Sequence, residues 1–170
     1  EALVRLNGAP QTVRTCGRRS VHLYGKDKLR VRKIADIGDG YTWKACELPT
    51  MIGKPTAECA MQKRDIGEAG YVTFGPYEPL AAGQYTLEVT YSSTAGQAEV
   101  IGNWDIVLAL PKEARVLKSG IIAGTEGAAK KVVEQFTFDS VNNMKKVEIR
   151  TNVQPNLDLK VISIRIERMQ

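Results

Sequence analysis

The sequence predicts an all-β domain built as a β-sandwich. Three observations support this prediction: apolar and polar residues alternate in several separate segments, turn residues follow those segments at short spacing, and helical periodicity is almost absent. The chain has 170 residues, of which 43% are hydrophobic and 25% charged, an ordinary composition for one globular domain with its own core. Many short strands with regular turns and little helix are typical of a sandwich or a barrel.

The clearest strand signal lies in residues 84–91, where every second residue is apolar, from Tyr85 to Tyr91. Residues 103–110 repeat this pattern, with Trp104 and three aliphatic side chains on one face. Two shorter strands are predicted further along the chain, around Phe136–Phe138 and Val147–Ile149. In each case the alternation predicts a strand with one face against the core.

The last predicted strand carries two apolar sets. Residues 157, 159 and 161 share one face, whereas the isoleucines at 162, 164 and 166 share the other. Since a regular strand cannot bury both sets on one side, we expect a bulge near Val161–Ile162 or a strand covered on both faces.

The first 45 residues carry a weaker pattern. Residues 21–24 and 29–34 predict a hairpin joined by the polar residues 25–28. We interpret residues 1–45 as an N-terminal extension packed on a sandwich of residues 46–170, or as the tail of a preceding domain. The chain starts at Glu1 without a recognisable signal peptide, so we expect a mature product or an excised piece of a longer protein.

The net charge is +5 and the sequence pI about 9.1. Basic side chains are scattered, apart from Arg18-Arg19 and a run in residues 26–33 that alternates with Leu29 and Val31. This alternation favours the solvated face of one strand, so we do not expect nucleic acid as a partner. No apolar stretch approaches the 18 residues typical of a transmembrane helix, and we expect no membrane span in this chain.

The three cysteines are an odd number. Cys46 and Cys59 flank a loop rich in Pro and Gly and can close a disulfide, which leaves Cys16 to pair elsewhere or to stay reduced. Small buried thiols are the alternative. With no CxxC pair, and with His22 as the single histidine, the sequence does not support a zinc site.

The common catalytic motifs are missing from the sequence, which contains no GxSxG, no phosphate-binding glycine loop and no HExxH. A pair of carboxylates for glycoside hydrolysis stays open as an alternative among the 19 acids. We interpret the acids on predicted strands and loops as solvated, and we expect the domain not to be an enzyme. These acids are Glu78, Glu88, Asp105 and Glu148.

The sequence offers better candidates for binding a ligand than for catalysis. Sugars are held by an aromatic ring against their C–H face and by planar polar groups around their hydroxyls. Tyr41 and Trp43 follow the glycine-rich residues 38–40, and Tyr77 lies in a loop bounded by Gly75 and Pro79, so we predict that all three bind ligand. Arg150 points away from the core and can clamp an acidic group or form a surface salt bridge; Trp104 is a core residue.

Two segments resemble a known family. Residues 70–77, GYVTFGPY, followed by residues 80–89, LAAGQYTLEV, resemble carbohydrate-binding jelly-roll modules of the galactose-binding-like type. Residues 157–164, LDLKVISI, look like the closing strand of those modules. The chain also resembles non-catalytic sandwich domains of bacterial membrane glycosyltransferases and surface-polysaccharide proteins, over about residues 46–170.

The resemblance implies a jelly-roll-like sandwich that binds saccharide or an envelope polysaccharide, as an accessory domain of a glycan-processing protein with a membrane-embedded parent. It implies a periplasmic or extracellular location, where a Cys46–Cys59 bridge would be stable. Such modules often hold calcium through acids in their first and last strands. Glu58 can fill the first place but Lys160 is basic, so we expect no cofactor. The alternative function is a structural domain that packs on a membrane or a partner subunit.

Overall fold

The computed structural model describes residues 2–6, 9–13, 40–109, 114–139, 142 and 145–169. The chain divides into two units, Glu1–Ile37 and Gly38–Gln170. In the first unit, β1 (Ala2–Leu6) and β2 (Ala9–Val13) form an antiparallel hairpin. The hairpin expected in residues 21–34, and Cys16, lie outside the described residues.

The second unit is a β-sandwich, which confirms the all-β fold class. A 3-10 turn, Ala45–Glu47, follows the first strand of this unit. Within the described part of the chain, no helix is long and apolar enough to cross a membrane. The strands are β3 (Gly40–Lys44), β4 (Gly53–Pro55), β5 (Met61–Lys63), β6 (Gly70–Thr73), β7 (Pro76–Pro79), β8 (Gly83–Ser92), β9 (Val100–Leu108), β10 (Arg115–Ala123), β11 (Lys130–Phe138), β12 (Lys146–Val153) and β13 (Lys160–Arg168).

The strands form two antiparallel sheets. The first sheet has the order β10-β9-β12, and β6 and β7 pair one after the other along the far edge of β12. The second sheet has the order β11-β8-β13, and β3 and β5 pair along the far edge of β13, with β4 beyond β5. The two-residue side-chain period gives each sheet one face against the core and one outward face.

The core lies where the sequence alternation predicts it. Tyr85, Leu87, Val89 and Tyr91 of β8 are all buried, and so are the three predicted core residues of β9 that the structure describes. Trp104 packs under Gly120 of β10, where an added Cβ would lie 2.7 Å from the indole ring. The absence of a side chain at residue 120 therefore makes room for the largest core side chain. The β9 residues are Trp104, Ile106 and Leu108.

The expected bulge in the last strand is confirmed. The pairing of β13 with β8 shifts between Val161 and Ser163. Because this shift inserts one extra residue at Ile162, both Val161 and Ile164 face the core and are fully buried. The bulge therefore allows residues from both apolar sets of this strand to face the core.

The sandwich starts earlier than the sequence indicated. β3 pairs with β13, with Trp43 opposite Ile164. Gly40 begins the strand at a φ of 125°, and a Cβ there would lie 2.1 Å from the carbonyl oxygen of Ile166. Residues 40–44, predicted to be part of the N-terminal extension, therefore belong to the sandwich, while the packed extension itself stays a prediction.

At one end of the sandwich, a buried lysine joins two loops. The Lys63 ammonium donates hydrogen bonds to three carbonyl oxygens, at 2.8, 3.0 and 2.9 Å. Burial lowers the pKa of Lys63, while nearby acids, Asp158 among them, act in the opposite direction. The ammonium thus fastens the loop after β5 to the loop between β12 and β13. The three carbonyls belong to Ile66, Gln154 and Leu157.

Asp158 joins the same end to the loop between β8 and β9. Its carboxylate accepts hydrogen bonds from the hydroxyls of Ser93 and Thr94, at 2.9 and 2.8 Å, and from the Thr94 backbone N–H. The hydroxyl of Thr125, in the loop between β10 and β11, accepts from the Ser93 backbone N–H. Three loops are therefore held together by internal hydrogen bonds.

Candidate functional site

Arg150 lies at the centre of the outward face of the first sheet. Val147, Ile149 and Thr151 of β12 face the core, so Arg150 faces outward, directly opposite Asp105 of β9. Its Nε and Nη2 donate to the two carboxylate oxygens of Asp105, at 2.7 and 2.5 Å. The predicted outward orientation is correct, and the guanidinium forms a salt bridge in this structure.

A tyrosine ring packs against the same guanidinium. The Cζ of Arg150 lies 5.2 Å from the centroid of the Tyr71 ring, within the range of a cation–π contact. Tyr71 is in β6, opposite Asn152 of β12, and its own neighbour Phe74 has a ring centroid 6.5 Å away. With Asp105 on one side and an aromatic ring against it, Arg150 is held in one orientation.

Tyr77 is the exposed aromatic of this face. It lies in β7, which pairs with β12, and not in a loop as the sequence predicted. It has a left-handed φ of 64° and is 38% exposed. Its hydroxyl donates to Oε1 of Glu148 at 3.0 Å. Burial raises the pKa of the Tyr77 phenol, and the hydrogen bond to Glu148 raises it further. A non-glycine residue in this backbone region is costly and is found disproportionately at functional sites.

The two carboxylates of this face are buried. Asp105 and Glu148 are each 8% exposed, so the expectation that they are solvated strand residues is wrong. They are covered because both carry hydrogen-bond partners that lie on the sheet, Arg150 and Tyr77. Their burial on an outward face is informative, since acidic side chains are rarely buried without such partners.

Further polar residues lie beside this cluster on the outward face of the first sheet. Asn152 and Asn103 lie directly opposite each other on β12 and β9, and Ser119 of β10 lies opposite Asp105. Ile121, opposite Asn103, is 63% exposed. The outward face thus combines two tyrosine rings, amides, charged groups and an exposed apolar side chain.

Trp43 and Tyr41 lie elsewhere, on the core side of β3. Trp43 is only 3% exposed, and the Tyr41 ring stacks on it with centroids 5.2 Å apart. The Tyr41 hydroxyl donates to the carbonyl oxygen of Pro79 at 3.0 Å. Trp43, which the sequence predicted to bind ligand, is instead a core residue, because residues 40–44 form a strand paired with β13. Of the predicted ligand residues, the structure brings together Tyr77 and Arg150.

A disulfide is present in the first part of the second unit. Cys46 and Cys59 are bonded, with Cα atoms 4.9 Å apart, and the Cys46 N–H also donates to the Cys59 carbonyl. The bridge closes the loop between the 3-10 turn and β5. Its role is to fix the chain that leads into the second sheet.

Metal ligation has no support in the described residues, where no group of three or more His, Cys, Asp or Glu side chains can hold an ion. Glu58 is fully exposed. Hydrogen bonds from its own backbone and from Thr56 lower its pKa, and the positive charge of Lys160 acts in the same direction. Lys160 therefore supplies a positive charge near the acid proposed for the first calcium position.

The loop end of the sandwich lacks the residues that stack on sugars. Residues 64–69, 93–99, 124–129 and 154–159 contain no aromatic side chain. Several of their polar groups are used in the hydrogen bonds of Asp158 and Lys63. The outward face of the first sheet is therefore the better candidate site.

Neither the protein-family models nor the curated proteins contain a match to the chain. Solved structures of similar fold include the C-terminal family 6 carbohydrate-binding module of LamC, a marine laminarinase from Zobellia galactanivorans, with a TM-score of 0.56 and 14% identity over 76% of this chain and 100% of the module. A family 35 carbohydrate-binding module from Clostridium thermocellum has a TM-score of 0.56 and 11% identity, covering 78% and 100% of the two chains.

The module CBM6cm-2 from Cellvibrio mixtus lichenase 5A, solved in complex with cellotriose, has a TM-score of 0.52 and 15% identity, covering 76% of this chain and 98% of that one. At these identities the similarity concerns the fold. The chain thus has the jelly-roll sandwich fold of carbohydrate-binding modules.

Proposed function

We propose that this chain is a non-catalytic carbohydrate-binding domain that binds glycan on the outward face of its first sheet. The observation that carries this proposal is the cluster of Tyr71, Arg150 and Tyr77 with two buried carboxylates on that face. The fold supports it, since several solved structures of similar fold are carbohydrate-binding modules.

The chemistry of the face suits a sugar. The ring of Tyr77 offers an apolar surface for the C–H face of a pyranose. Carboxylate, amide and guanidinium groups around it accept and donate hydrogen bonds with hydroxyls. A sheet face carries such groups on a rigid backbone, and this lowers the entropy cost of ordering them when the ligand binds.

The alternative of a glycoside-acting enzyme is less well supported. A carboxylate pair for hydrolysis must face the scissile bond from two sides. Here both oxygens of Asp105 accept hydrogen bonds from Arg150, and Glu148 accepts one from Tyr77. These carboxylates are occupied in holding the face together.

The cellular setting is also part of the proposal. The Cys46–Cys59 bridge is typical of an oxidising compartment, which supports an extracellular or periplasmic location. An accessory role beside a membrane glycosyltransferase, or with an envelope polysaccharide, remains a prediction from the resemblance. A structural domain with no sugar site is the rival function.

Affinity electrophoresis in gels that contain soluble neutral polysaccharides tests the proposal. We expect retardation of the native chain by at least one glucan, xylan or mannan, and loss of retardation in Tyr77→Ala and Tyr71→Ala. Stacking on an aromatic ring contributes about 1–3 kcal/mol per ring in nucleic-acid binding, which sets the scale. Tyr77→Phe keeps the ring and should keep most of the retardation.

Val133→Ala is the matched control, because Val133 is 57% exposed on the outward face of the second sheet. It should bind as the native chain does. If no polysaccharide retards a folded native chain, the structural-domain function replaces the one proposed here.

A further inference from the structure

The centre of the candidate face contains more negative than positive charge. Arg150 has two carboxylates near it: it is hydrogen-bonded to Asp105, and it is close enough to Glu148 to be influenced by its charge. Hydrogen bonding to Asp105 raises the pKa of Arg150, so the guanidinium stays charged. One cation and two acids give this centre a net charge of −1.

Arg150 is also already engaged. Its Nε and Nη2 are directed at Asp105, and its Cζ lies over the Tyr71 ring. A sugar carboxylate could take this side-on edge of the guanidinium, Nε and Nη2, only by displacing Asp105, which is 8% exposed and would be left buried without its partner. Such a loss is costly for a buried acid.

The net charge of the whole chain is positive, but the excess of basic residues lies in another segment. Residues 1–39 contain nine basic and four acidic side chains and so account for the entire net charge of +5. Residues 40–170 contain fifteen of each sign and are neutral. The nearest cation on the outward side of β12 is Lys146, two residues before Glu148 and exposed, at the end of the face.

We propose that this face, if it binds glycan as proposed above, selects neutral sugars and amino sugars against uronic acids. Hydroxyl and ammonium groups donate hydrogen bonds, and the carboxylate oxygens of Asp105 and Glu148 have lone pairs beyond those that Arg150 and Tyr77 use. A uronate carboxylate would face two acids, and the one guanidinium near them is already paired with Asp105. Like charges at short range in a partly desolvated site repel strongly. The inference rests on the proposed function and specifies its ligand class.

The test uses three β-1,4-linked oligomers of one length: a cello-oligosaccharide, its 2-amino counterpart and its glucuronate counterpart. In calorimetry at low salt, we expect the uronate to bind at least about tenfold more weakly than the neutral oligomer. The amino sugar should bind as tightly as the neutral oligomer or more tightly. A uronate that binds as well as the neutral oligomer overturns the inference but leaves the proposed function standing.

If none of the three oligomers binds and no gel retards the chain, the proposed function itself fails, and the selectivity with it. If a different backbone retards the chain in the gels, the same three-way comparison is made on that backbone. The two failures are therefore distinguishable.

Asp105→Asn tests the cause of the selectivity. The amide holds Arg150 less tightly and removes one negative charge, so uronate affinity should rise to within about threefold of the neutral oligomer. Glu148→Gln removes the other charge and should change the ratio in the same direction. Lys146→Ala is the control and should leave the native preference for the neutral oligomer in place. If both acid variants fold, as their melting temperatures will show, and neither changes the ratio, the charge argument is wrong.

Discussion

The two sheets expose different surfaces to solvent, although the same alternation builds both. On the first sheet, aromatic rings and buried ionic groups share the outward face. On the second sheet, the outward residues of the central strands and β11 are hydroxyls, amides, a valine and long charged side chains, with no aromatic among the described positions. They include Thr86, Glu88, Thr90, Lys131, Val133, Gln135, Arg165 and Glu167.

The ionic pairs show the difference most clearly. On the second sheet, Lys131 lies 3.0 Å from Glu88, with the lysine side chain more than half exposed. An exposed pair of this kind is worth about 0–1 kcal/mol. On the first sheet, the Arg150–Asp105 pair is mostly buried, so its polar groups depend on one another. One face is thus an ordinary solvated surface, while the other has a fixed arrangement of functional groups.

The largest loss of stability is expected from a substitution in the core, beneath the outward face of the first sheet. Trp104 is 2% exposed and fills the space under Gly120, so Trp104→Ala should lower the free energy of unfolding by about 3–5 kcal/mol. Urea denaturation measures this loss. A variant with native stability would show that the indole is not part of the core that supports the face.

A smaller loss of stability is expected from a substitution at the loop end of the sandwich. Lys63→Met keeps the length of the side chain but leaves three carbonyl oxygens without their donor, which should cost about 2–3 kcal/mol. Polysaccharide retardation should not change in this variant. A folded Lys63→Met chain that loses binding would move the candidate site from the sheet face to the loops.

Asp158 predicts an acid-sensitive contribution at that same end. Partial burial alone would raise its pKa, but hydrogen bonds from Thr94 and Ser93 outweigh burial and lower it. A lowered folded pKa means that the contribution is present above the unfolded value, near pH 3.9, and is lost as the pH falls through the folded value. Asp158→Asn should cost about 1 kcal/mol at pH 7 and lose less stability than the native chain between pH 5 and pH 2. Equal losses over this range would contradict the assignment.

The smallest effect is expected on the second face. Glu88→Gln breaks the exposed pair with Lys131 and should change the free energy of unfolding by less than about 0.5 kcal/mol. Binding should be unchanged. A loss of binding in Glu88→Gln, with binding intact in Tyr77→Ala, would reverse the assignment of the two faces.

Much of the fold could be predicted because alternation is a local property. The core residues of β8 and the bulge at Ile162 follow from the spacing of apolar residues. Trp43 could not be placed in the same way, since five residues after a glycine-rich segment resemble a loop as much as a short strand. Its burial depends on pairing with β13, more than a hundred residues away.

Only part of the candidate site could be predicted from the sequence, because the pairing of distant strands is not a local property. Alternation places Arg150 on an outward face but does not show which neighbours lie across the sheet. Tyr71 and Asp105 come close to Arg150 only through the pairing of β12 with β6 and β9. The available signal for Tyr71 was its position beside the core residue Val72, which predicts the opposite face for the tyrosine.

The most direct test of the account is to map bound glycan on the two faces. A uniformly labelled chain would be titrated with a cello-oligosaccharide, or with an oligomer of whichever polysaccharide retards it, and followed by amide and side-chain NMR shifts. We predict saturable shifts at Tyr71, Tyr77 and the amides of Asn103 and Asn152, and none at Glu88, Val133 or Arg165. Shifts confined to the second sheet or to the loop end would contradict the claim that the first face is the binding surface.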